Sequence, residues 1–457
     1  MKKRRTISIV FFFCVLCLCI AAQGCAYRPE SFSAPPKQTP AAIRSVTATP
    51  TPLTEYAVSF YRDGTLWEER QIAEGDTVRA PELDSEDVVL IGWTDENGEF
   101  TDIENETVTA QRCFDAVLRP RLSQDAPYLF PDENGFLRPA DALTNAQAEA
   151  MAEALLNGSE WALPALSGEK DAPVTSEEFT SLLSSLFDPR RVEETVSLLG
   201  GDKESLRQTE NVSRAEAAQC LKLLLDREAP ETVPYYPDVS PKREYGVALL
   251  ATAAEGTLDK DTLVAAALDG FLWFDGYLYR LDDEGYFLTD TTEDDLYYDG
   301  NGRYTCGNTE LDDYVAETVA KYLDPSKARR ENLHTLYYHI KNDFMYLTRN
   351  YYDSGAVGWD IDEALTLFST GKGNCYCYAG AFCALARGMG YNAVTYSGTM
   401  GNQNQKHAWT EITLDDVIYI CDPEIEMNYW YLQMYTDNYM MPRQNAGGWN
   451  YQAVGRN

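Results

Sequence analysis

Basic residues are scarce in this chain. Its 457 residues carry 38 Lys and Arg against 72 Asp and Glu, a formal net charge of −34. A surface of that sign repels phosphate backbones and anionic headgroups, which argues against nucleic acid or an acidic membrane face as a partner. Histidine is scarcer still, with His334, His339 and His407 making the full set. The seven cysteines that follow Cys25 fall in no dense spacing, so neither a disulfide framework nor a zinc site is suggested. No metal or cofactor is expected. The longest apolar run, Ile7 to Ala22, is short for a membrane-spanning helix.

What is present concentrates near the C-terminus. Cys375 opens a run, Tyr378 to Ala386, that is apolar or small all round and reads as a buried helix. Gly373 and Asn374 precede it, with Asn374 as the expected cap, and Gly388 and Gly390 end it. Cys375 therefore sits at a helix N-terminus, where unpaired N–H groups and the dipole favour an anion. The thiolate is the nucleophilic form, and the same N–H groups can serve an oxyanion.

Residues 407–413 and 417–422 alternate like the two strands of a hairpin. With a two-residue turn at Leu414-Asp415, His407 faces Asp422 directly, with Cβ atoms roughly 4.5–5.5 Å apart. With the turn at Asp415-Asp416, the two stay on one face but lie diagonally. A three-residue loop would place them on opposite faces. Cys375 as nucleophile, His407 as proton carrier and Asp422 as the group that orients the imidazole make a thiol acyl-transfer or hydrolysis site. Taken singly, each has a plainer explanation: a core cysteine beside Cys377 and Cys383, a strand histidine, an Asp in a turn before Pro423. Their joint order and spacing favour the catalytic reading.

From about Asn308 onward the chain resembles the transglutaminase-like superfamily, a branch of the papain-like thiol enzymes. The resemblance rests on Gly373-Asn-Cys375-Tyr-Cys-Tyr378-Ala379, Gly390 to Gly398, His407-Ala408-Trp409-Thr-Glu411 and Tyr419-Ile-Cys-Asp422-Pro423. It implies an α+β papain-like catalytic domain over 309–457 and selects Cys375 over Cys377 as nucleophile. It also implies a lead-in of helices Leu311–Leu323 and Glu331–Leu347 and a Glu363–Phe368 turn. For the oxyanion donor, Tyr346 and Trp359 are candidates. The expected substrate is a peptide or protein amide, for instance wall peptide, with water or an amine as acceptor. The aromatics after Asp422, including Trp430, Tyr431, Tyr435 and Tyr451, could line an acyl-binding cleft, and core packing is the preferred expectation.

The chain reads as multidomain. Lys2 to Arg5 followed by the Ile7–Ala22 run predict a secretion leader over 1–24. Its end, Ala21-Ala22-Gln23-Gly24-Cys25, resembles a bacterial lipoprotein cleavage box. That implies acylation of Cys25 and an anchor on the outer face of the cytoplasmic membrane, with a Gram-positive surface suiting the cysteine usage. Residues 25–54, rich in Pro and Thr, read as a spacer. Residues 55–120 alternate with Gly and Asp turns. Val58-Ser-Phe60, Glu74-Gly75 to Pro81 and Ile91-Gly92-Trp93 resemble the small all-β Listeria-Bacteroides repeat.

Residues 125–265 are helical in pattern and repeat one motif, at Leu143-Thr144 to Glu149, Val174-Thr175 to Phe179 and Val212-Ser213 to Glu216. They resemble S-layer homology motifs, which bind anionic wall polymers through a basic loop residue; Arg214 keeps that residue where Asn145 and Ser176 replace it. Wall-polymer contact is therefore expected to be weak. Residues 266–308 carry Gly-Asp turns and aromatics that read as a collar of short hairpins. The leading expectation is a surface-anchored thiol enzyme. The alternative is a catalytically inert adhesion or scaffold lipoprotein.

Overall fold

The computed structural model describes residues 54–457, apart from residue 84, residues 199–210, residues 255–257 and residue 350. The leader, Cys25 and most of the spacer lie outside the described residues. The first module is built from β1 (Glu55–Arg62), β2 (Thr65–Ala73), β3 (Val88–Thr94), β4 (Phe100–Thr101) and β5 (Arg112–Pro120). Asp63 and Gly64 both take positive φ, as a two-residue hairpin turn between β1 and β2 requires. The sheet runs β2-β1-β5-β3-β4, with β1 and β5 parallel at its centre. Val58, Phe60, Trp93 and Phe114 fill its core. The alternation in the sequence thus becomes a β-rich module with one buried face.

Helices α1 (Asn145–Leu156), α2 (Ser176–Leu186), α3 (Pro189–Leu198), α4 (Arg214–Leu225), α5 (Glu244–Thr252) and α6 (Lys260–Ala266) follow. The repeated motif has a structural expression. Thr144, Thr175 and Ser213 each cap a helix in a reciprocal box with Gln147, Glu178 and Glu216. The residues just before them close a ring of backbone hydrogen bonds. Leu143 donates to Val212 (2.7 Å), Val212 to Val174 (3.0 Å) and Val174 to Leu143 (2.8 Å). Three helix starts therefore meet around a pseudo-threefold centre.

Arg214, the one repeat position that keeps a basic residue, is buried. Its guanidinium donates to the carbonyls of Leu137 (2.6 Å) and Phe130 (2.8 Å). Asn145, at the matching position, likewise donates to the Ser167 and Glu169 carbonyls. The position is a strut that satisfies carbonyls of an adjoining loop.

The collar consists of a hairpin, β6 (Phe271–Phe274) with β7 (Tyr277–Arg280), and a small sheet of β8 (Thr291–Glu293), β9 (Leu296–Tyr298) and β10 (Tyr304–Thr305). Trp273 donates its indole N–H to the Gly388 carbonyl (2.9 Å), fixing the hairpin to the C-terminal domain.

That domain holds α7 (Thr309–Tyr322), α8 (Arg329–Asp343), β11 (Met345–Tyr346), α9 (Asp360–Thr370), β12 (Lys372–Gly373), α10 (Cys375–Gly388), β13 (Asn392–Met400), β14 (Gln405–Leu414), β15 (Val417–Cys421), α11 (Pro423–Tyr431), β16 (Met441–Pro442) and β17 (Gln452–Arg456). The antiparallel sheet runs β16-β15-β14-β13-β17. Helix α10 is buried along nearly its whole length between this sheet and α7, α8 and α9. A Cβ at Gly380 would lie 2.5 Å from the Asp360 carbonyl oxygen, so a glycine there lets α9 cross α10 closely. Two lead-in boundaries differ from expectation. Helix α8 stops at Asp343 rather than Leu347, because Met345 and Tyr346 pair with β12. Glu363–Phe368 lies within helix α9, not in a turn.

Candidate active site

Cys375 is the first residue of α10. Asn374 occupies the cap position but its side chain makes no capping bond, and its Oδ1 is buried without a partner. The expected side-chain cap is thus absent, and the first turn of α10 opens beside the thiol. Pairing of β11 with β12 sets Tyr346 across from Gly373, two residues before Cys375. Cys375 is only 2% exposed, yet it lines a cleft of about 450 Å³ together with Tyr346, Tyr351, His407, Glu424 and Asn428.

Cys377 points elsewhere. Its thiol donates to Glu363 (2.6 Å) beside the Arg349 guanidinium, and burial first, then the carboxylate, push its pKa up to about 12. Cys383 is buried in the main core.

His407 is the third residue of β14. Its Nε2–H donates to Asp422 Oδ2 at 2.7 Å, and both side chains are buried. The turn is Asp415-Asp416, both at positive φ (50° and 61°). Leu414 then pairs with Val417 and Thr410 with Cys421, so in the same register Asp422 falls across from Trp409. His407 and Asp422 accordingly share a face diagonally; the directly opposed register does not occur.

Asp422 accepts hydrogen bonds on both of its oxygens. Oδ2 also accepts from the Tyr451 hydroxyl (2.8 Å), and Oδ1 accepts from the Ile425 N–H (3.1 Å), capping α11. Burial pulls the His407 pKa down. The charge and hydrogen bond of Asp422, and then Cys375, outweigh it and raise the value well above the ordinary imidazole range. Thr410 donates to the Ala379 carbonyl (2.9 Å), tying the His407 strand to the Cys375 helix. The structure therefore brings Cys375, His407 and Asp422 together from a helix start, a strand and a helix cap.

Several site residues were not singled out in the sequence. Glu424, in the first turn of α11, is buried in the cleft wall with Oε2 4.0 Å from His407 Nδ1. Burial pushes its pKa up to about 7. Tyr451 and Thr410 are supporting partners whose roles depend on contacts distant in the chain. Of the two oxyanion candidates, Trp359 spends its N–H on the Ala356 carbonyl (3.0 Å), whereas Tyr346 reaches the cleft with its hydroxyl on that of Tyr351 (2.8 Å).

His407, Asp422 and Glu424 also offer donor atoms within 4.8 Å of one another. Both Asp422 oxygens accept hydrogen bonds from protein donors, so the cluster is organised around protons, and a cation would have to break these bonds. No collar residue lines this cleft among the described residues. Trp430, Tyr431 and Tyr435, expected in the core, are exposed. Among the described residues no helix is long and apolar enough to cross a membrane.

Residues 313–423 match the family model of the transglutaminase-like superfamily, and this stretch is a transglutaminase-like domain. No curated protein matches the chain. Among solved structures it is similar to a cysteine protease candidate from Cytophaga hutchinsonii, at 16% identity and TM-score 0.18, over 28% of this chain and 42% of that one. It is also similar to a TGase, at 15% identity and TM-score 0.20, over 25% and 31%. A third is the periplasmic domain of TgpA from Pseudomonas aeruginosa bound to ethylmercury, at 22% identity and TM-score 0.17, over 25% and 42%. The match spans less than half of each of those chains.

Proposed function

We propose that the C-terminal domain is a thiol-dependent amide hydrolase or acyl transferase acting on peptide or protein substrates at a bacterial cell surface. The observation that carries this reading is the buried His407, held on Nε2 by Asp422 while its opposite edge shares a cleft with Cys375. In this mechanism the Cys375 thiolate attacks the substrate carbonyl carbon. The His407 imidazolium then protonates the leaving amine as the C–N bond breaks, giving a thioester on Cys375. Asp422 fixes the ring and stabilises its positive charge throughout. The N–H groups at the start of α10 and the Tyr346 hydroxyl are the donors available to the oxyanion. Water or an amine then takes the acyl group.

The leader, a lipidated Cys25 and the 25–54 spacer would hold the enzyme on the outer face of the cytoplasmic membrane, in a Gram-positive envelope. The β-rich module, the S-layer-homology-like helices and the collar would act as a stalk. The buried Arg214 leaves that region little with which to grip an anionic polymer.

A second reading, an inert scaffold, draws on the burial of Cys375, since a thiol closed to reagents needs no catalytic role. One experiment separates the two. The full chain is mixed with p-nitrophenyl acetate and its intact mass measured, with Cys375→Ala alongside. An acyl adduct mapped to Cys375 and absent from the variant supports the enzyme. The absence of an acyl adduct at Cys375 in the unmutated protein refutes it. Peptide amides with and without a labelled primary amine then divide hydrolysis from transfer.

A further inference from the structure

The carboxylate of Glu424 accepts no hydrogen bond among the described residues, although its side chain is only 7% exposed and lines the cleft of Cys375 and His407. Asp422, at the same helix start, accepts three, from His407, Tyr451 and Ile425. Lys406, in the same cleft wall, turns its ammonium to Asp353 (2.9 Å). The closest group able to carry a positive charge is His407, with Nδ1 4.0 Å from Oε2, and that ring is already matched by Asp422 at 2.7 Å. A buried carboxylate is costly unless a donor or a cation compensates it, and packing alone would not require one here.

The charges of the site do not close. Cys375 and His407 sum to zero whether they stand as thiolate and imidazolium or as thiol and imidazole. Asp422 and Glu424, when ionised, therefore leave two negative charges in a shielded cleft, and the donors around Asp422 answer only one of them. A cation that enters meets Glu424 with its lone pairs free. An apolar or acidic group leaves that carboxylate desolvated and uncompensated, a contrast from which substrate discrimination is built. The formal net charge of −34 draws cations from further away.

We propose that Glu424 is a specificity-determining residue that pairs with a positively charged group of the substrate, a primary ammonium or a guanidinium, close to the amide that Cys375 attacks. This deepens the reading of the domain as a thiol amide hydrolase or acyl transferase and rests on it. The substrate is then a basic peptide or a diamino compound. The charge belongs to the acyl part or to the amine part of the amide, since both pass through the cleft beside His407. Burial pushes the Glu424 pKa up to about 7, in keeping with a carboxyl whose counter-charge arrives with the substrate. The titratable groups facing it are His407 from β14, Asp422 at the cap of α11, Tyr346 from β11, Cys375 and Tyr378 from α10, and Tyr451 ahead of β17.

The test uses the full chain in rapid mixing with matched pairs of p-nitrophenyl esters. The pairs are 3-aminopropanoate with butanoate and 6-aminohexanoate with heptanoate, so that an ammonium replaces a methyl group on the same chain. The burst of p-nitrophenolate gives the second-order rate of acylation, with Cys375→Ala as background. For the amine part, protein acylated by p-nitrophenyl acetate is offered lysinamide or norleucinamide, and the acetylated products are measured by mass. In the unmutated protein the charged member is preferred by roughly 10-fold or more in at least one arm, and that arm names the part of the substrate that carries the charge. In Glu424→Gln the ratio falls to about 1, and Glu424→Asp keeps part of it. The preference also weakens as pH falls through about 7, where Glu424 takes up its proton while the side-chain ammonium keeps its charge. A merely structural role would change both members of a pair alike. No preference in either arm, or a preference that survives in Glu424→Gln, would overturn the proposal. Should Glu424→Gln not fold, a preference of the unmutated protein that is independent of pH between about 5.5 and 8 overturns it equally. A missing Cys375-dependent burst with every ester instead overturns the assignment of the nucleophile, and this inference with it.

Discussion

Replacing Asp422 by Asn tests the proton economy of the site. The substitution keeps an acceptor that can cap α11 through the Ile425 N–H, but removes the charge facing His407. A hydrogen bond to a charged group contributes about 1.5–3 kcal/mol. Its loss shifts the balance between imidazolium and neutral imidazole by about 10- to 150-fold toward the neutral ring. The sign follows from the raised His407 pKa, which keeps the ring protonated at neutral pH. Without that charge, the ring proton that stabilises a Cys375 thiolate is lost at lower pH.

The assay is the rate of iodoacetamide labelling at Cys375 between pH 5 and 9, read by peptide mapping. Burial raises the pKa of Cys220, Cys306, Cys377, Cys383 and Cys421, so those thiols stay silent at the acid end and the Cys375 signal stands apart. In Asp422→Asn the labelling rate near pH 6 should fall by at least 10-fold and converge with that of the unmutated protein at the alkaline end. Superimposable profiles would show that Asp422 does not govern the state of the His407–Cys375 pair, and the reasoning would fail.

Three further outcomes follow from the structure. Glu424 has a pKa raised from 4.5 to about 7, so the folded state holds more protons than the unfolded chain between those values, and stability falls as pH rises through them. Glu424→Gln removes that penalty. It should be more stable than the unmutated protein at pH 8, by up to about 3 kcal/mol, and equally stable near pH 4, read from thermal melts at the two pH values. Thr410→Val deletes the bond to the buried Ala379 carbonyl and should cost about 1–3 kcal/mol, read as a lowered melting temperature, with slower labelling of Cys375 if β14 shifts against α10. Arg214→Ala leaves the Leu137 and Phe130 carbonyls without their donor and should cost about 2 kcal/mol or more. Circular dichroism would register it as early melting of helix; a variant as stable as the unmutated chain would contradict the strut.

How much of this was legible depended on whether a feature was local. Helix α10 could be read because its apolar character runs all round and Gly390 stops it at positive φ. The three-helix repeat could be read from Thr144, Thr175 and Ser213, although the ring that Leu143, Val174 and Val212 close could not, since its bonds join distant residues. The β14–β15 register was narrowed to two choices. Asp415-Asp416 prevails because Asp is one of the few residues with a side chain that tolerates left-handed backbone, and the turn needs two such positions. Asn374 misled, because its identity suggested a cap and packing withdrew its oxygen into the core. At Arg214 residue type alone left polymer contact and a structural role both open, because the same guanidinium that could bind a polymer outside can satisfy two carbonyls inside, as it does here.

Asp422 and Glu424 show most sharply why local sequence falls short of chemistry. They stand two residues apart at one helix start, and composition gives no reason to treat them differently. Asp422 meets three donors, from His407, Tyr451 and Ile425, so its negative charge is balanced and held in place. Glu424 lines the cleft and among the described residues accepts no hydrogen bond, with His407 Nδ1 4.0 Å away, and burial pushes its pKa up to about 7. A carboxylate whose lone pairs are occupied can orient and stabilise, but it cannot readily take on a further donor. A carboxylate with free lone pairs, desolvated beside the nucleophile, can. Two acids with environments this far apart are suited to different tasks. Tyr451, 29 residues beyond Asp422, is one of the groups that set them apart. The difference between their environments therefore comes from His407 and Tyr451 meeting the cap of α11, a tertiary event that neither acid's neighbours in sequence could announce.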